Sequence, residues 1–274
     1  ANIGYFEKAA GFDSVFLQFD NEHINEDAEN QKIFSAELGY GFRGENFAAN
    51  INVYRTQWND RTFTRGLDGQ NGEEFTANIL GVDALHQGVE LDFMYKASDK
   101  FTLTGMFSLG DWTWDNDLID VSVYDGEQNE VATVDLLIKG LKVADAAQTT
   151  AALGFDYELM DKTHFTVDYN YYDNLSADFD ILGSANITLT GDTKQPSVRP
   201  SDTWEAPSYG TFDASIRHGF KIGDLDTTLT ARMNNVFDTQ YIADALDGAS
   251  STALDALVWY GYGRTFNVSA KIKF

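Results

Sequence analysis

The last eleven residues, Arg264 to Phe274, alternate strictly: Phe266, Val268, Ala270, Ile272 and Phe274 fall on one face of a strand, with Thr265, Asn267, Ser269, Lys271 and Lys273 on the other. A period-two pattern of this kind describes a strand with different media on its two sides. The pattern recurs along the chain. Phe34, Ala36, Leu38, Tyr40 and Phe42 oppose Ser35, Glu37, Gly39, Gly41 and Arg43, and Phe101, Leu103, Gly105, Phe107 and Leu109 oppose Thr102, Thr104, Met106 and Ser108. Similar sets occur at 47–54, 89–96, 153–159, 165–171, 212–220 and 225–233. Very short turns at Gly44-Glu45, Ser98-Asp99-Lys100, Met160-Asp161-Lys162 and Gly223-Asp224 alternate with long polar segments at roughly 59–83, 112–146, 174–207 and 238–257. Short turns on one side and long loops on the other predict a transmembrane antiparallel β-barrel with periplasmic turns, extracellular loops and about ten crossings in this chain. A soluble sandwich scatters its loop lengths without such parity.

Composition narrows the function classes. The chain of 274 residues holds 43 Asp+Glu against 19 Lys+Arg, a formal charge of −24, so a nucleic-acid partner is not expected. Cysteine is absent, which removes disulfides and thiolate chemistry. Aromatics make up 14 % and prolines number three, a balance that suits extended sheet. No run reaches the roughly 18 apolar residues of a transmembrane helix, and a barrel needs none, because its strands cross in about 9–11 residues. Ala1-Asn2-Ile3-Gly4-Tyr5 already reads as strand, so the natural start is expected either to lie upstream or to have been removed by processing.

Five stretches carry a family resemblance. Asn234-Asn235-Val236-Phe237-Asp238-Thr239-Gln240-Tyr241 resembles the segment at the top of the penultimate strand of TonB-dependent outer-membrane transporters. Gly261-Tyr262-Gly263-Arg264-Thr265-Phe266, with the alternation to Phe274, resembles their closing strand, in which Phe266, Val268, Ala270, Ile272 and Phe274 form the barrel-assembly signal. His86-Gln87-Gly88-Val89-Glu90-Leu91 and the passage from Ile24 to Tyr40 resemble strand starts of the same barrels, and Gly4 to Phe16 is most similar to receptors of the Bacteroidota type. The resemblance implies a barrel of roughly 22 strands around a plugged lumen, of which residues 1–274 are the C-terminal portion of about ten strands, with the plug outside this chain. It also implies active uptake of a scarce ligand such as an iron–siderophore, cobalamin, glycan or peptide, without catalysis or a cofactor. The implied partners are outer-membrane lipid, the plug and remaining strands of the same protein, the TonB complex through that plug, and a surface lipoprotein lid. A passive or structural barrel and a rim-active hydrolase are the alternative readings.

Several residues are candidates for function. Tyr54, Trp58, Trp112, Trp114 and Tyr172 are aromatics on the polar, lumen-facing parity near the long-loop end, where they can stack on a ligand. A bulge that shifts the register would turn them outward instead. Arg43, Lys96, Arg217 and Arg232 share the lumen parity with Glu37, Glu90, Asp92 and Asp213, as plug-facing charges or as a network within the wall. The acidic stretch with Asp115, Asp117 and Asp120 is a weak calcium candidate whose spacing departs from the EF-hand, and otherwise a solvated face. His86, between Asp83 and Glu90, is the one histidine placed for rim catalysis, and His23, His86, His164 and His218 show no metal-ligand spacing.

Overall fold

The computed structural model describes residues 1–16, 22–68, 74–127, 129–179, 203–248 and 250–273. Phe274, the last residue of the expected closing signal, lies outside the described residues. The strands in chain order are β1 (Asn2–Lys8), β2 (Gln31–Arg43), β3 (Phe47–Asp68), β4 (Glu74–Ser98), β5 (Phe101–Trp114), β6 (Leu118–Tyr124), β7 (Glu130–Leu136) and β8 (Thr149–Met160). They continue as β9 (Thr163–Asp173), β10 (Leu175–Ser176), β11 (Glu205–Ala206), β12 (Tyr209–Ile222), β13 (Leu225–Asn234), β14 (Ile242–Leu246), β15 (Leu257–Tyr260) and β16 (Thr265–Lys273).

Ten of these form one path, β1-β2-β3-β4-β5-β8-β9-β12-β13-β16, in which each described pair is antiparallel. The expected ten crossings are these ten strands. Neighbours in sequence pair with one another because tight turns join them at one end. At the β12–β13 turn Ile222 pairs with Leu225, leaving two linking residues, and Gly223 takes a φ of +61° as a primed hairpin turn demands.

The pairing register carries the two-faced pattern from strand to strand. Leu38 sits opposite Val53, Val53 opposite Val89 and Val89 opposite Leu109, while Glu37 sits opposite Tyr54 and Tyr54 opposite Gly88. One face is therefore apolar across the whole path, and it is left bare: Leu38 is 67 % exposed, Tyr40 69 % and Val268 71 %. No water-soluble sheet keeps such a face uncovered, whereas lipid covers it without cost. The opposite face is tied by polar pairs, among them Ser35–Thr56 at 2.7 Å, Asn50–Asp92 at 2.8 Å and Thr166–Ser215 at 2.6 Å.

The apolar band has a sharp upper border. One layer above Val53, Val89 and Leu109, the same outward face carries Arg55, Gln87 and Asp111, opposite one another in register. Arg55 Nη1 donates to Gln87 at 3.0 Å, Gln87 Nε2 donates to Asp111 at 3.1 Å, and Lys142 Nζ reaches Asp111 at 2.7 Å. A charged ladder on the lipid side marks where hydrocarbon ends.

Above that border the structure departs from the sequence reading. The segments expected as long polar loops, 59–83 and 112–146, hold the upper halves of β3 and β4 and the β6–β7 pair. β3 has 22 residues and β4 has 25, roughly 70 Å or more at about 3.3 Å per residue, when about 9–11 residues suffice to cross. The upper halves of β3 and β4 leave the membrane as a hairpin, and β6 docks on it through Thr76–Tyr124 and Ala77–Val123 while pairing with β7. The chain's buried apolar core lies in this head: Ile79, Val82, Val123, Val134, Leu136 and Ile138 are its largest fully buried side chains. Burying each contributes roughly 1.5–3 kcal/mol, enough to fix the hairpins without help from lipid. The signal was present as Leu118, Val121 and Val123 against Ala132, Val134, Leu136 and Ile138, but the surrounding Asp and Glu residues masked it.

Leu136→Ala is expected to cost the head about 2–5 kcal/mol. In limited proteolysis of the full-length receptor in outer membranes, new cleavage should appear within 112–146, while the heat-modifiable gel mobility of the barrel stays as before.

Candidate functional site at the extracellular mouth

At the border and just above it, on the lumen-facing side, four of the described rings form a row. Tyr54, Trp58, His86 and Trp112 come from three adjacent strands, with Thr56 opposite His86 and His86 opposite Trp112 in register. Trp112 Nε1 donates to the Tyr54 hydroxyl at 2.9 Å. His86 lies 5.6 Å from Trp112 and 6.4 Å from Trp58, centroid to centroid. Trp58 is held in turn by its Nε1, which donates to Gln31 Oε1 at 2.9 Å. The backbone of Trp112 is fixed by Gln148, which accepts from Trp112 N at 2.9 Å and donates to Trp112 O at 3.0 Å. Aromatic groups held this firmly offer a preformed surface with little ordering entropy left to lose.

The register is regular through the row. The bulges fall above it, between Trp58 and Arg61 and between Arg61 and Phe63, where Asp60 has a φ of +58° and Gly81 a φ of +69°. Tyr54, Trp58 and Trp112 therefore keep their lumen parity. Trp114 departs from the expected ligand-facing role: it is only 4 % exposed and packs edge-to-face on Phe63 at 5.6 Å and on Phe179 at 5.9 Å, inside the head core. Tyr172 belongs to a separate stack, with Tyr209 at 4.9 Å and Tyr241 at 4.3 Å from Tyr209.

Arg61, which no sequence pattern singled out, crowns the row. Its guanidinium lies 4.8 Å from the Trp58 ring, 5.1 Å from Phe63 and 5.0 Å from Trp114. Such cation–π contacts contribute about 0.5–2 kcal/mol each. His86 feels both the burial and this cation: desolvation first, then the Arg61 charge, pull its pKa from 6.5 down to about 4. The imidazole is thus neutral at physiological pH, and among the described residues no carboxylate hydrogen-bonds to it. Asp83, its expected neighbour, accepts instead from the backbone N–H of Asp60 at 3.1 Å.

The wall charges divide. Arg232 pairs with Asp213 at 3.1 Å and Arg217 reaches Asp156 at 3.8 Å, both within the sheet. Glu37 accepts from Asn2 at 3.4 Å and Asp92 from Asn50 at 2.8 Å, both amide donors. Glu90 sits opposite Asn52 on one side and Ser108 on the other in register. Arg43, Asp92 and Lys96 line a lumen-side recess of about 660 Å³ near the short turns. Asp115, Asp117 and Asp120 are not gathered. Asp115 accepts from Gln57 at 3.1 Å and Asp117 from the Lys139 N–H at 2.9 Å. The Asp120 N–H donates to Asp135 at 3.0 Å. Among the described residues no three His, Asp or Glu side chains converge on one point.

The Asn234–Tyr241 segment is a clasp rather than a site. Asn235, 5 % exposed with a φ of +49°, donates its N–H to Asp213 at 2.9 Å, accepts from the Thr239 N–H at 2.8 Å and donates to Thr239 O at 2.8 Å. Asp238 accepts from the Arg264 N–H at 2.7 Å. The top of β12, the end of β13 and the start of β16 are thereby locked together.

The family profile described as TonB dependent receptor-like, beta-barrel matches residues 4–236. The chain belongs to that family. Like the other barrels of the family, it is an outer-membrane protein, and the bare apolar band is its lipid face. Among solved structures, the copper transporter OprC shares 15 % identity over 98 % of this chain and 36 % of its own, with a TM-score of 0.61. The ferric yersiniabactin uptake receptor FyuA from Yersinia pestis shares 14 % over 99 % of this chain and 34 % of its own, at 0.58. The outer membrane transporter YddB from Escherichia coli shares 16 % over 92 % and 34 %, at 0.58. At these identities the likeness establishes the fold alone. The chain spans about a third of the length of these receptors. No curated protein matches it.

Because the His86 pKa is depressed, the unfolded chain binds a proton between pH 6.5 and about 4 that the folded chain refuses, so the group's contribution to stability rises with pH across that window and is level above it. Protonated imidazole quenches neighbouring indole emission. Tryptophan fluorescence of the full-length receptor should stay level through the ordinary histidine range of about pH 6–7 and fall only towards pH 4. The His86→Gln variant should lack that fall.

Proposed function

We propose that the chain forms part of the wall and the extracellular mouth of a TonB-dependent transporter that takes up a scarce ligand across the outer membrane. The observation that carries this reading is the lumen-facing row of Tyr54, Trp58, His86 and Trp112 at the hydrocarbon border and just above it. A ligand arriving from outside meets preformed rings before it meets the channel. The remaining strands of the same protein close the sheet between β16 and β1, and the plug fills the lumen. Arg43, Glu37, Glu90, Asp92 and Lys96 face that plug, whereas Arg217 and Arg232 stiffen the wall. The plug engages the TonB complex from below, and a surface lipoprotein lid covers the mouth from above.

Transport in this scheme is a change in affinity and not a chemical step. The ligand binds while the plug is seated, and displacement of the plug removes part of the site, so the ligand leaves inward. The rings on the barrel wall stay fixed throughout. Their part is capture, and their loss should appear as weaker uptake rather than as a failed channel.

The test uses cells carrying the full-length receptor with Trp58→Ala and Trp112→Ala together. Compounds that cells with the unaltered receptor deplete from the medium in a TonB-dependent manner should be depleted about tenfold more slowly, as the loss of two stacking contacts predicts. The amount of assembled barrel in the outer membrane should be equal in the two strains. Equal depletion would contradict the reading.

A further inference from the structure

On β1 to β4 an open groove of about 540 Å³ lies between two successive register layers. Ile3, Ala36, Arg55 and Gln87 sit opposite one another in the upper layer, and Leu38 and Val53 in the lower. All six share the lipid-facing parity, so the groove is on the outside of the wall. Ala36 is the small member of its layer and leaves the surface open between Ile3 and Arg55. The lower rim is bare and apolar and continues into the exposed Tyr40 and Ile51. The upper rim carries a cation at the height where hydrocarbon ends. Arg55 is exposed, and among the described residues its hydrogen bond is the Nη1 contact with Gln87 at 3.0 Å, with no ion pair. Its neighbours in charge are committed. Lys142 is paired with Asp111 at 2.7 Å and Lys32 with Asp60 at 2.8 Å. Asp111, the acid of the border ladder, is taken up by Gln87 and Lys142. Glu37 and Glu90 stand on the opposite face of the sheet.

A guanidinium at this height meets lipid headgroups, and its fork of donors matches two oxygens of a phosphate. An acyl chain hanging from that headgroup reaches the groove directly below and takes Leu38 and Val53 as its wall. We propose that the groove is a binding site for one anionic phospholipid of the outer leaflet, with its phosphate on Arg55 and an acyl chain between the two rims. The inference rests on the lipid face and stands apart from the uptake reading.

The charge balance of the chain sets the preference. With 43 acidic against 19 basic residues, most of this surface repels an anionic headgroup, which is favoured where a cation lacks a counter-ion. A zwitterionic headgroup brings its own cation, which offsets the phosphate and meets Arg55 as a like charge. A free phosphate ion reaches Arg55 but leaves the groove beneath it bare. Headgroup and acyl chain together therefore define the occupant.

The test is native mass spectrometry of the full-length, delipidated receptor in detergent with equimolar phosphatidylglycerol and phosphatidylcholine of identical acyl chains. The first lipid retained should be phosphatidylglycerol by about fivefold, as one basic residue at a lipid surface predicts. Arg55→Gln should lose that preference. Ala36→Phe, which fills the groove and keeps Arg55, should lower phosphatidylglycerol retention at least threefold. It carries the test alone if the glutamine variant fails to assemble, as judged by heat-modifiable gel mobility. Glycerol phosphate at the same concentration should neither bind nor displace the lipid. Equal retention of the two lipids by the unaltered receptor, or retention unchanged in the variants, would overturn the proposal. Displacement by glycerol phosphate would reduce the site to a simple anion contact, and a receptor dimer lost in Ala36→Phe would assign the groove to a second copy; either also overturns it.

Discussion

Hydrocarbon supplies no hydrogen bonds to a peptide backbone, so a strand that crosses it must find every partner in its neighbours. All else in this chain follows from that constraint. It requires successive crossings to pair antiparallel, and the described pairs do so along ten strands. It also forces an unbroken register through the membrane, since a one-residue slip would send every apolar side chain to the wrong face. The described irregularities obey this rule. The bulges of the β3–β4 pair lie above Trp58, in the water-exposed head, and that of β4–β5 lies beside the short turn, between Lys96 and Ser98.

The same constraint fixes where function can sit. Within the band, the lumen-facing positions are tied to adjacent strands, as with Asn50–Asp92 and Thr166–Ser215. Above the Arg55–Gln87–Asp111 ladder the chain is released from lipid and can build in three dimensions. There it places a conventional hydrophobic core, and at the junction between wall and core it places the rings and Arg61. The junction is rigid on both sides, held below by the sheet and above by Ile79, Val82 and Leu136, so the rings are positioned before any ligand arrives. Arg61 shows what the arrangement achieves: a cation kept half out of water by the faces of three rings.

Much of the wall was legible in the sequence because its period is two and its media differ. Trp112 and Tyr54 were placed on the lumen side by parity alone, and the register agrees. The head was not legible in the same way. Its strands are dense in Asp and Glu on their exposed faces, so 112–146 read as solvated loop although Ala132, Val134, Leu136 and Ile138 alternate cleanly. Trp114 shares Trp112's parity but ends in the head core, because burial at that height depends on where β6 and β7 dock, which no local pattern encodes. Arg61 lies immediately beyond the Asp60 bulge, where counting from the strand below no longer holds.

The central claim is that Val53, Leu91 and Val268 face lipid while Thr56 and Glu90 face a water-filled lumen, with the border at Arg55. Because the chain contains no cysteine, single cysteines at these positions, in the full-length receptor with any other cysteine replaced, can carry nitroxide spin labels. Power-saturation spectroscopy in bilayers then reports whether each label collides with lipid-dissolved oxygen or with a water-soluble nickel chelate. Positions 53, 91 and 268 should respond to oxygen, 56 and 90 to the chelate, and 55 to both, as a border residue does. Equal response at alternating positions, or oxygen access at 56 and 90, would contradict the two-faced wall on which the site depends.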